Sequence, residues 1–531
     1  MRLWNSLFLF LLVLTMINPL VLGSNDLNLE EEQTLAQVEN PNDYWPDAEW
    51  RRSTPEEQGM NLEPLIRMIK YLQNEQKDIH SLLIIRNGYL INETYFYPYQ
   101  KDFKHVINSC TKSVTSALIG IAIEEGYLKS VNEPVLPYFT DLKVEQIDAQ
   151  KEALTIEHLL TMATGLDWVE DGSYGSERDS WTQMWQSPNQ IQYILNRPMQ
   201  SEPGQSFYYC TGASHLLSGI LQRVTGKNAF RYGQEKLFEP MGIRDIYWQT
   251  DLNGVNVGGG GLYMTPADMA KFGYLYLKKG KWNGKQLIPE HWIEVSTQKQ
   301  INTPYGLAGR YGYAYQWWIN RFGGYSARGY GGQYIFVLPE YEMVIVFTSG
   351  LHGSDFFLPE FLVDSFIIPA IQPLALENSD VDHESELTEL LNEVSQGPEP
   401  KLAPEMPVTA QRISGKTFMM EDNTSFSLLF EDDAECRLNL FINGVNYEIP
   451  IGLDDIYRIA DLGIFGPLPN NNKVAFKGNW IDKQTFVITF KGLDDADELK
   501  VTYTFEKDQV KTSTYSKLAG TIVQEGKGIA Q

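Results

Sequence analysis

Two apolar runs, Ser81-Leu82-Leu83-Ile84-Ile85-Arg86 and Tyr89-Leu90-Ile91-Asn92-Glu93-Thr94-Tyr95, flank the dipeptide Asn87-Gly88. Strand-like runs around Asn-Gly make a tight hairpin, because the turn that matches strand twist needs positive φ at both central residues. The chain therefore builds at least part of its core on an antiparallel sheet. Further apolar and aromatic runs, Tyr311–Ile319, Arg328–Leu338 and Met343–Thr348, read as additional strands of it. Helical spacing lies between these runs and before them. Leu65, Ile66, Met68, Ile69 and Leu72 share a face over Asn61–Gln73, and Ser214–Val224 is similar. Thr155–Thr164 reads as a short helix capped by Thr155 and closed by Gly165, and Thr265-Pro266 reads as a helix start. The fold class is α+β, an antiparallel sheet flanked by helices.

The character of the chain changes after residue 373. Glu384–Val394 is an acidic, helix-like piece, and Gly397-Pro398-Glu399-Pro400 with Pro404 and Pro407 reads as a linker over 374–408. Residues 409–531 then carry short alternating runs, such as Phe426–Phe430, Thr485–Phe490 and Lys500–Phe505. They predict a separate C-terminal all-β domain, a sandwich or a barrel. At the other end, Arg2, the apolar run Leu7–Ile17 and the small residues Val21 and Gly23 read as an export signal over 1–23. That run is short for a membrane span. Residues 24–47 are an acidic, flexible lead-in, which leaves 48–373 as the first folded domain. The expected location is secreted, periplasmic or cell-surface, with no membrane span once the signal is removed. A net charge of −25 repels nucleic-acid phosphates, so no nucleic-acid partner is expected.

The chemistry is sought at Asn108-Ser109-Cys110-Thr111-Lys112. A serine is followed three residues later by a lysine, and Ser113–Leu128 is an apolar helix that stops near Gly126. Asn108 or Ser109 can cap that helix. Residues three apart share a helix face, so Ser109 and Lys112 stack in the first turn. A serine hydroxyl is a weak nucleophile until a base takes its proton, and a desolvated lysine can supply that base. A second match, Ser296-Thr297-Gln298-Lys299, has no apolar helix behind it. Two other segments stand out. Phe207-Tyr208-Tyr209-Cys210-Thr211 places a tyrosine before a helix, and Gly329-Tyr330-Gly331-Gly332-Gln333 places glycines inside a strand. Such glycines let a substrate approach and free a backbone N–H. The run Gly258–Gly261 lacks the Gly-Lys-Ser/Thr of a phosphate cradle and reads as a close-approach turn. Trp168, Trp181 and Trp185 lie in a mixed stretch, 166–206, of the kind that either walls a pocket or fills a satellite core.

Ser109-x-x-Lys112, Tyr209 before a helix and the Gly329–Gln333 segment occur in the order of the three elements of the serine β-lactamase and penicillin-binding protein superfamily. The closer resemblance is to its class C-like branch of esterases and nylon-oligomer hydrolases, over about residues 50–370. The resemblance implies a β-lactamase/transpeptidase-like fold and roles for individual residues. Ser109 is the nucleophile of an acyl-enzyme, and Lys112 eases removal of its proton. Tyr209 is the base, its phenol pKa depressed by Lys112. The backbone N–H groups of Ser109 and Gln333 form the oxyanion hole, with Gly332, Tyr330 and Thr211 lining the substrate site. No metal or organic cofactor is implied. The C-terminal domain lies outside the resemblance, apart from a likeness to the lipocalin-like appendage of some relatives.

Two positions depart from the family pattern. Thr211 stands where the family has Asn, offering one hydroxyl in place of an amide. Tyr330 stands where penicillin-recognising members have Lys or His, and it cannot pair with a substrate carboxylate. Arg328 is near but alternates to the other face of the strand. The expected substrate is accordingly a small ester or amide. The alternatives are a β-lactamase or D-Ala-D-Ala carboxypeptidase, and a non-catalytic cell-surface binding protein on a hydrolase fold. The family geometry also implies that Cys110 and Cys210, which follow the nucleophile and the candidate base, come within disulfide reach, with Cα atoms about 4.4–6.8 Å apart. Cys436 would then be the lone thiol. No His-Glu-x-x-His or Gly-x-Ser-x-Gly occurs.

Overall fold

The computed structural model describes residues 44–531, apart from 47–48, 173, 305–310, 372–381, 403–404, 431–433, 443 and 463–472. The signal-like segment 1–23, nearly all of the lead-in 24–47 and parts of the linker 374–408 lie outside the described residues.

The hairpin forms as its sequence requires. Strands β1 (Ile79–Arg86) and β2 (Tyr89–Tyr95) pair through a turn in which Asn87 and Gly88 have φ of 51° and 77°. They join β3 (Trp318–Ile319), β4 (Tyr325–Gly329), β5 (Gln333–Leu338) and β6 (Met343–Ser349) in one antiparallel sheet of order β2-β1-β6-β5-β4-β3. Side chains alternate across it. Leu82, Ile84, Phe336, Ile345 and Phe347 face a layer built on α1 (Leu62–Asn74) and the helical segment 358–370. Leu83, Ile85, Ile335, Val344 and Val346 face α2 (Thr111–Glu124), α3 (Thr211–Thr225) and α4 (Pro266–Leu277). The sheet is thus covered on both faces, which explains why its strands read as continuous apolar runs. Among the described residues no helix is long and apolar enough to cross a membrane.

Several local expectations change. Arg328–Leu338 is two strands, because Gly331 and Gly332 take φ of 81° and 86° and turn the chain back. Of Tyr311–Ile319 only the last two residues are strand; Gln316, at φ 65°, breaks the run. The helix expected over Thr155–Thr164 has the Thr155 cap but spans Ile156–Leu160, with Met162 at φ 58°. The acidic piece is a helix, α5 (His383–Ser395), and it lies against α1 with Leu387 buried and Lys70 paired to Glu386. That stretch of the expected linker is therefore packed onto the first domain.

The described residues of 417–530 form ten strands, antiparallel to their neighbours except where β10 meets β12: β7 (Thr417–Met420), β8 (Ser425–Phe430), β9 (Glu435–Ile442), β10 (Val445–Gly452), β11 (Arg458–Asp461), β12 (Lys473–Trp480), β13 (Thr485–Gly492), β14 (Glu498–Glu506), β15 (Gln509–Ser516) and β16 (Thr521–Ala530). The order is β10-β9-β8-β7-β16-β15-β14-β13-β12-β11, and β10 also meets β12 through Gly452 and Lys477. The sheet closes on itself, so the C-terminal domain is a barrel rather than a sandwich. Phe418, Phe426, Cys436, Phe486 and Phe505 fill its core.

Gly88→Ala tests the hairpin turn. A Cβ there would sit at φ 77° and 2.8 Å from the Tyr274 hydroxyl. The expected loss is about 1–2 kcal/mol for the left-handed conformation, read from the denaturation midpoint.

Candidate active site

Ser109 sits in a single 3-10 turn, Asn108–Cys110, that runs into α2. The expected side-chain cap is not made. Asn108 adopts φ 46°, and its amide donates instead to the carbonyl of Tyr330 at 2.7 Å. Short polar side chains tolerate this left-handed conformation best. The Ser109 turn and the glycine turn are thereby tied together. A second tie comes from the residue after Ser109, where Cys110 Sγ donates to the carbonyl of Gln333 at 3.3 Å.

Lys112 lies one helical turn on, with only 2 % of its surface exposed. Its Nζ is 2.9 Å from Ser109 Oγ, 3.0 Å from Thr211 Oγ1 and 2.9 Å from the carbonyl of Gly259. Burial lowers its pKa to about 8, while Glu170 opposes the shift. Gly259 belongs to the glycine run. A Cβ at 259 would lie 2.6 Å from Thr211 Cγ2 and 3.1 Å from Lys112 Nζ. The close approach expected from that run is thus made, and its partner is the amine.

Glu170 was not legible as a site residue. It is a buried carboxylate that accepts from Thr211 Oγ1 at 2.5 Å, from the Thr211 N–H at 2.7 Å and from the Trp168 indole at 2.8 Å. Burial raises its pKa, and Lys112 and Thr211 pull it down. It reaches Lys112 through the Thr211 hydroxyl. Thr211 therefore orients the amine even though the family's amide is absent.

Tyr209 is partly exposed and stacks on Trp318, with ring centroids 6.1 Å apart. Its phenol pKa is not depressed, contrary to the expectation. Burial holds it well above its ordinary value, Tyr313 and Glu170 push the same way, and only a hydrogen bond with Ser109 pulls it down. Lys112 Nζ lies over the Tyr209 ring, 4.9 Å from its centroid.

In the third element, the Gln333 side chain is buried and serves the turn, donating to the carbonyls of Ser349 and Tyr330. Gly332 packs against Leu351. The ring of Tyr330 meets Tyr174 edge-on at 5.1 Å, and Tyr174 meets Trp181 at 5.6 Å. Part of the Trp-rich stretch does therefore wall the site. Arg328 pairs with Glu360 at 2.7 Å, so its charge is already taken up.

The expected disulfide is not formed. Cys110, Cys210 and Cys436 are all free and buried. Cys110 is engaged with Gln333, the Cys210 N–H donates to Met162 Sδ, and burial raises both thiol pKa values.

A family model described as Beta-lactamase matches residues 73–360, more than half of the chain. The chain belongs to the beta-lactamase family. It is a serine hydrolase of that family. A 6-aminohexanoate-dimer hydrolase of Paenarthrobacter ureafaciens is 24% identical over 318 residues, 57% of this chain and 81% of the relative. A lovastatin esterase of Penicillium rubens is 25% identical over 161 residues, 28% of this chain and 40% of the relative. Among solved structures, a putative 6-aminohexanoate-dimer hydrolase from Bacillus anthracis shares the fold with a TM-score of 0.51 and 24% identity, covering 61% of this chain and 88% of that one. The match spans the whole constellation of this beta-lactamase-family site and excludes the barrel.

Alkylation of the unfolded protein without reductant should modify all three cysteines. A peptide joining Cys110 to Cys210 in the mass map would contradict the free thiols.

Proposed function

We propose that the protein hydrolyses a small ester or amide with an apolar acyl or alcohol part, through an acyl-enzyme on Ser109. The observation that carries this reading is the set of partners around Lys112 Nζ. The Gly259 carbonyl can only accept. The Thr211 hydroxyl donates to Glu170, so it too can only accept from the amine. These two contacts use both protons of a neutral amine. In the ammonium the third proton donates to Ser109 Oγ at 2.9 Å, and in the neutral amine the lone pair takes that place. With a pKa near 8, Lys112 is neutral often enough to take the serine proton and acidic enough to return it.

The steps follow from that pairing. Lys112 removes the proton as Ser109 Oγ attacks the carbonyl carbon. Negative charge develops on the carbonyl oxygen, where the N–H groups of Ser109 and Gln333 receive it. Losing one such donor typically costs about 3 kcal/mol of barrier. The Lys112 ammonium then protonates the leaving alcohol or amine. Water repeats the sequence on the acyl-enzyme and frees Ser109. The Tyr209 phenol, neutral at working pH, hydrogen-bonds Ser109 and helps to hold its hydroxyl in place.

The substrate class rests on what lines the cleft. Tyr174, Trp181 and Tyr330 present aromatic surface, Tyr330 carries no charge, and Arg328 is paired with Glu360. Among the described residues, a substrate carboxylate would find no unpaired cation at the third element. The relatives named as a dimer hydrolase and an esterase are consistent with this choice. The export-like composition of residues 1–23 supports action outside the cytoplasm.

A fluorophosphonate should label the wild type, and Ser109→Ala should abolish labelling. An intact wild type that fails to label would turn the reading toward a binding protein on a hydrolase fold. Nitrophenyl esters should be turned over well ahead of nitrocefin; the reverse order would make it a β-lactamase.

The pH profile tests the base. Lys112 must be neutral to act, so kcat/KM should rise as pH passes through about 8 and fall below it. In Glu170→Gln the nearby anion is gone and the ammonium loses support. The limb should then move to lower pH, whereas an unmoved limb would exclude Lys112 as the titrating base.

A further inference from the structure

We infer that the C-terminal barrel is a working part of the active site: two of its loops brace the oxyanion hole from behind. Ala496, on the loop between β13 and β14, and Leu518, on the loop between β15 and β16, are positioning residues. The inference rests on the assignment of the Ser109 and Gln333 N–H groups as the oxyanion hole.

The contacts fall on the strand that leads into the Ser109 turn and on the glycine turn that carries Gln333. On the nucleophile side, the N–H of Val106, three residues before Ser109, donates to the carbonyl of Asp494 at 2.8 Å. On the other side, the Tyr330 hydroxyl donates to the carbonyl of Leu518 at 3.1 Å. Between them Ala496, buried to 3 % exposure, is wedged against the glycine turn. A Cβ at Gly331 would lie 2.6 Å from the Ala496 Cβ, and one at Gly350 would lie 2.7 Å from the Ala496 carbonyl oxygen. Hydrolase backbone and barrel backbone thus meet with no side chain between them on the hydrolase side.

The loops are held down by charge. Asp78, at the start of β1, pairs with Lys491 at 2.8 Å and with Lys517 at 2.5 Å. The two lysines come from the ends of β13 and β15; Lys517 adjoins Leu518, and Lys491 is the last residue but one of the strand before the loop that carries Ala496. Leu493 is buried with Tyr99 and Ala475 and anchors the same loop. One carboxylate of the hydrolase domain therefore fixes both bracing loops at once.

Catalysis by a pair of fixed N–H donors depends on their spacing, because donors already in place need no reorganisation as charge develops. The two turns are joined directly by Asn108 and Cys110. The barrel adds a third, outside support that reaches both. A change at Ala496 should therefore alter the rate of chemistry, although residue 496 lies in another domain and outside the family match.

The test uses the full-length protein with Ala496→Leu, the conservative Ala496→Ser, and Tyr330→Phe. Active sites are counted by fluorophosphonate titration, and kcat for a nitrophenyl ester is expressed per titrated site. Ala496→Leu should lower kcat per site roughly tenfold to hundredfold, the scale of a displacement of about 1 Å. KM should change by less than about threefold, since transition-state contacts are lost rather than ground-state ones. Ala496→Ser should keep the wild-type rate. Tyr330→Phe retains the ring against Tyr174, loses the bond to Leu518, and should show a smaller fall in kcat per site. A merely structural role would reduce the number of titratable sites and leave kcat per site unchanged. Wild-type kcat per site in Ala496→Leu overturns the inference. If that variant does not fold, wild-type kcat per site in Tyr330→Phe does so. A wild type that does not label at Ser109 overturns the hydrolytic reading instead.

Discussion

A primary amine enclosed in protein is the constraint around which the site is arranged. Removing an ammonium from water costs several kcal/mol unless it is paired or loses its proton. Lys112 takes the second course in part, with its pKa pulled down to about 8. Glu170 sets how far that shift goes. A carboxylate in direct contact would form an ion pair and hold the proton on the amine. Removed altogether, it would leave the ammonium without a nearby anion and let burial lower the pKa further. The Thr211 hydroxyl stands between them, accepting from Lys112 and donating to Glu170, and so passes on only part of the charge.

Backbone close approach supplies the rest of the geometry. The Gly259 carbonyl reaches Lys112 because no side chain intervenes, and the Gly331–Gly332 turn brings Tyr330 and Gln333 to the nucleophile turn. Asn108, in a left-handed conformation next to Ser109, places its amide on Tyr330. Few of these contacts use charge. The arrangement is held by hydrogen bonds between buried groups, each of which would be costly to leave unmade. That favours one geometry and rigidity over adaptability.

The two domains are joined in the same manner. The carbonyls of Asp494 and Leu518 meet hydrolase donors, and Asp78 receives two barrel lysines in a sheltered position. An appendage free to move would show exposed, screened contacts and a loose tether. Here the helix α5, which lies within the connecting stretch, also packs on the first domain. The barrel consequently lies against the Gly331–Gly332 turn, with Ala496 next to Gly331.

The sequence by itself determined the local elements and the order of the chemistry. The Asn87-Gly88 hairpin, the amphipathic Leu62–Asn74 helix, the buried helix after Ser109 and the alternating C-terminal strands each follow from short-range rules of turn conformation and period. Ser109 and Lys112 were also legible, since one helical turn alone makes them neighbours. Tertiary structure decided what depends on segments distant in the chain. Glu170 carries no local signal, being one carboxylate in an irregular aromatic stretch. The run Gly258–Gly261 announced a close approach but not to which partner. The free thiols of Cys110 and Cys210, the raised pKa of Tyr209 and the placement of Ala496 against Gly331 were likewise beyond local reading. A pKa or a disulfide depends on distances and solvent exclusion set by packing, and no pattern along the chain encodes those distances.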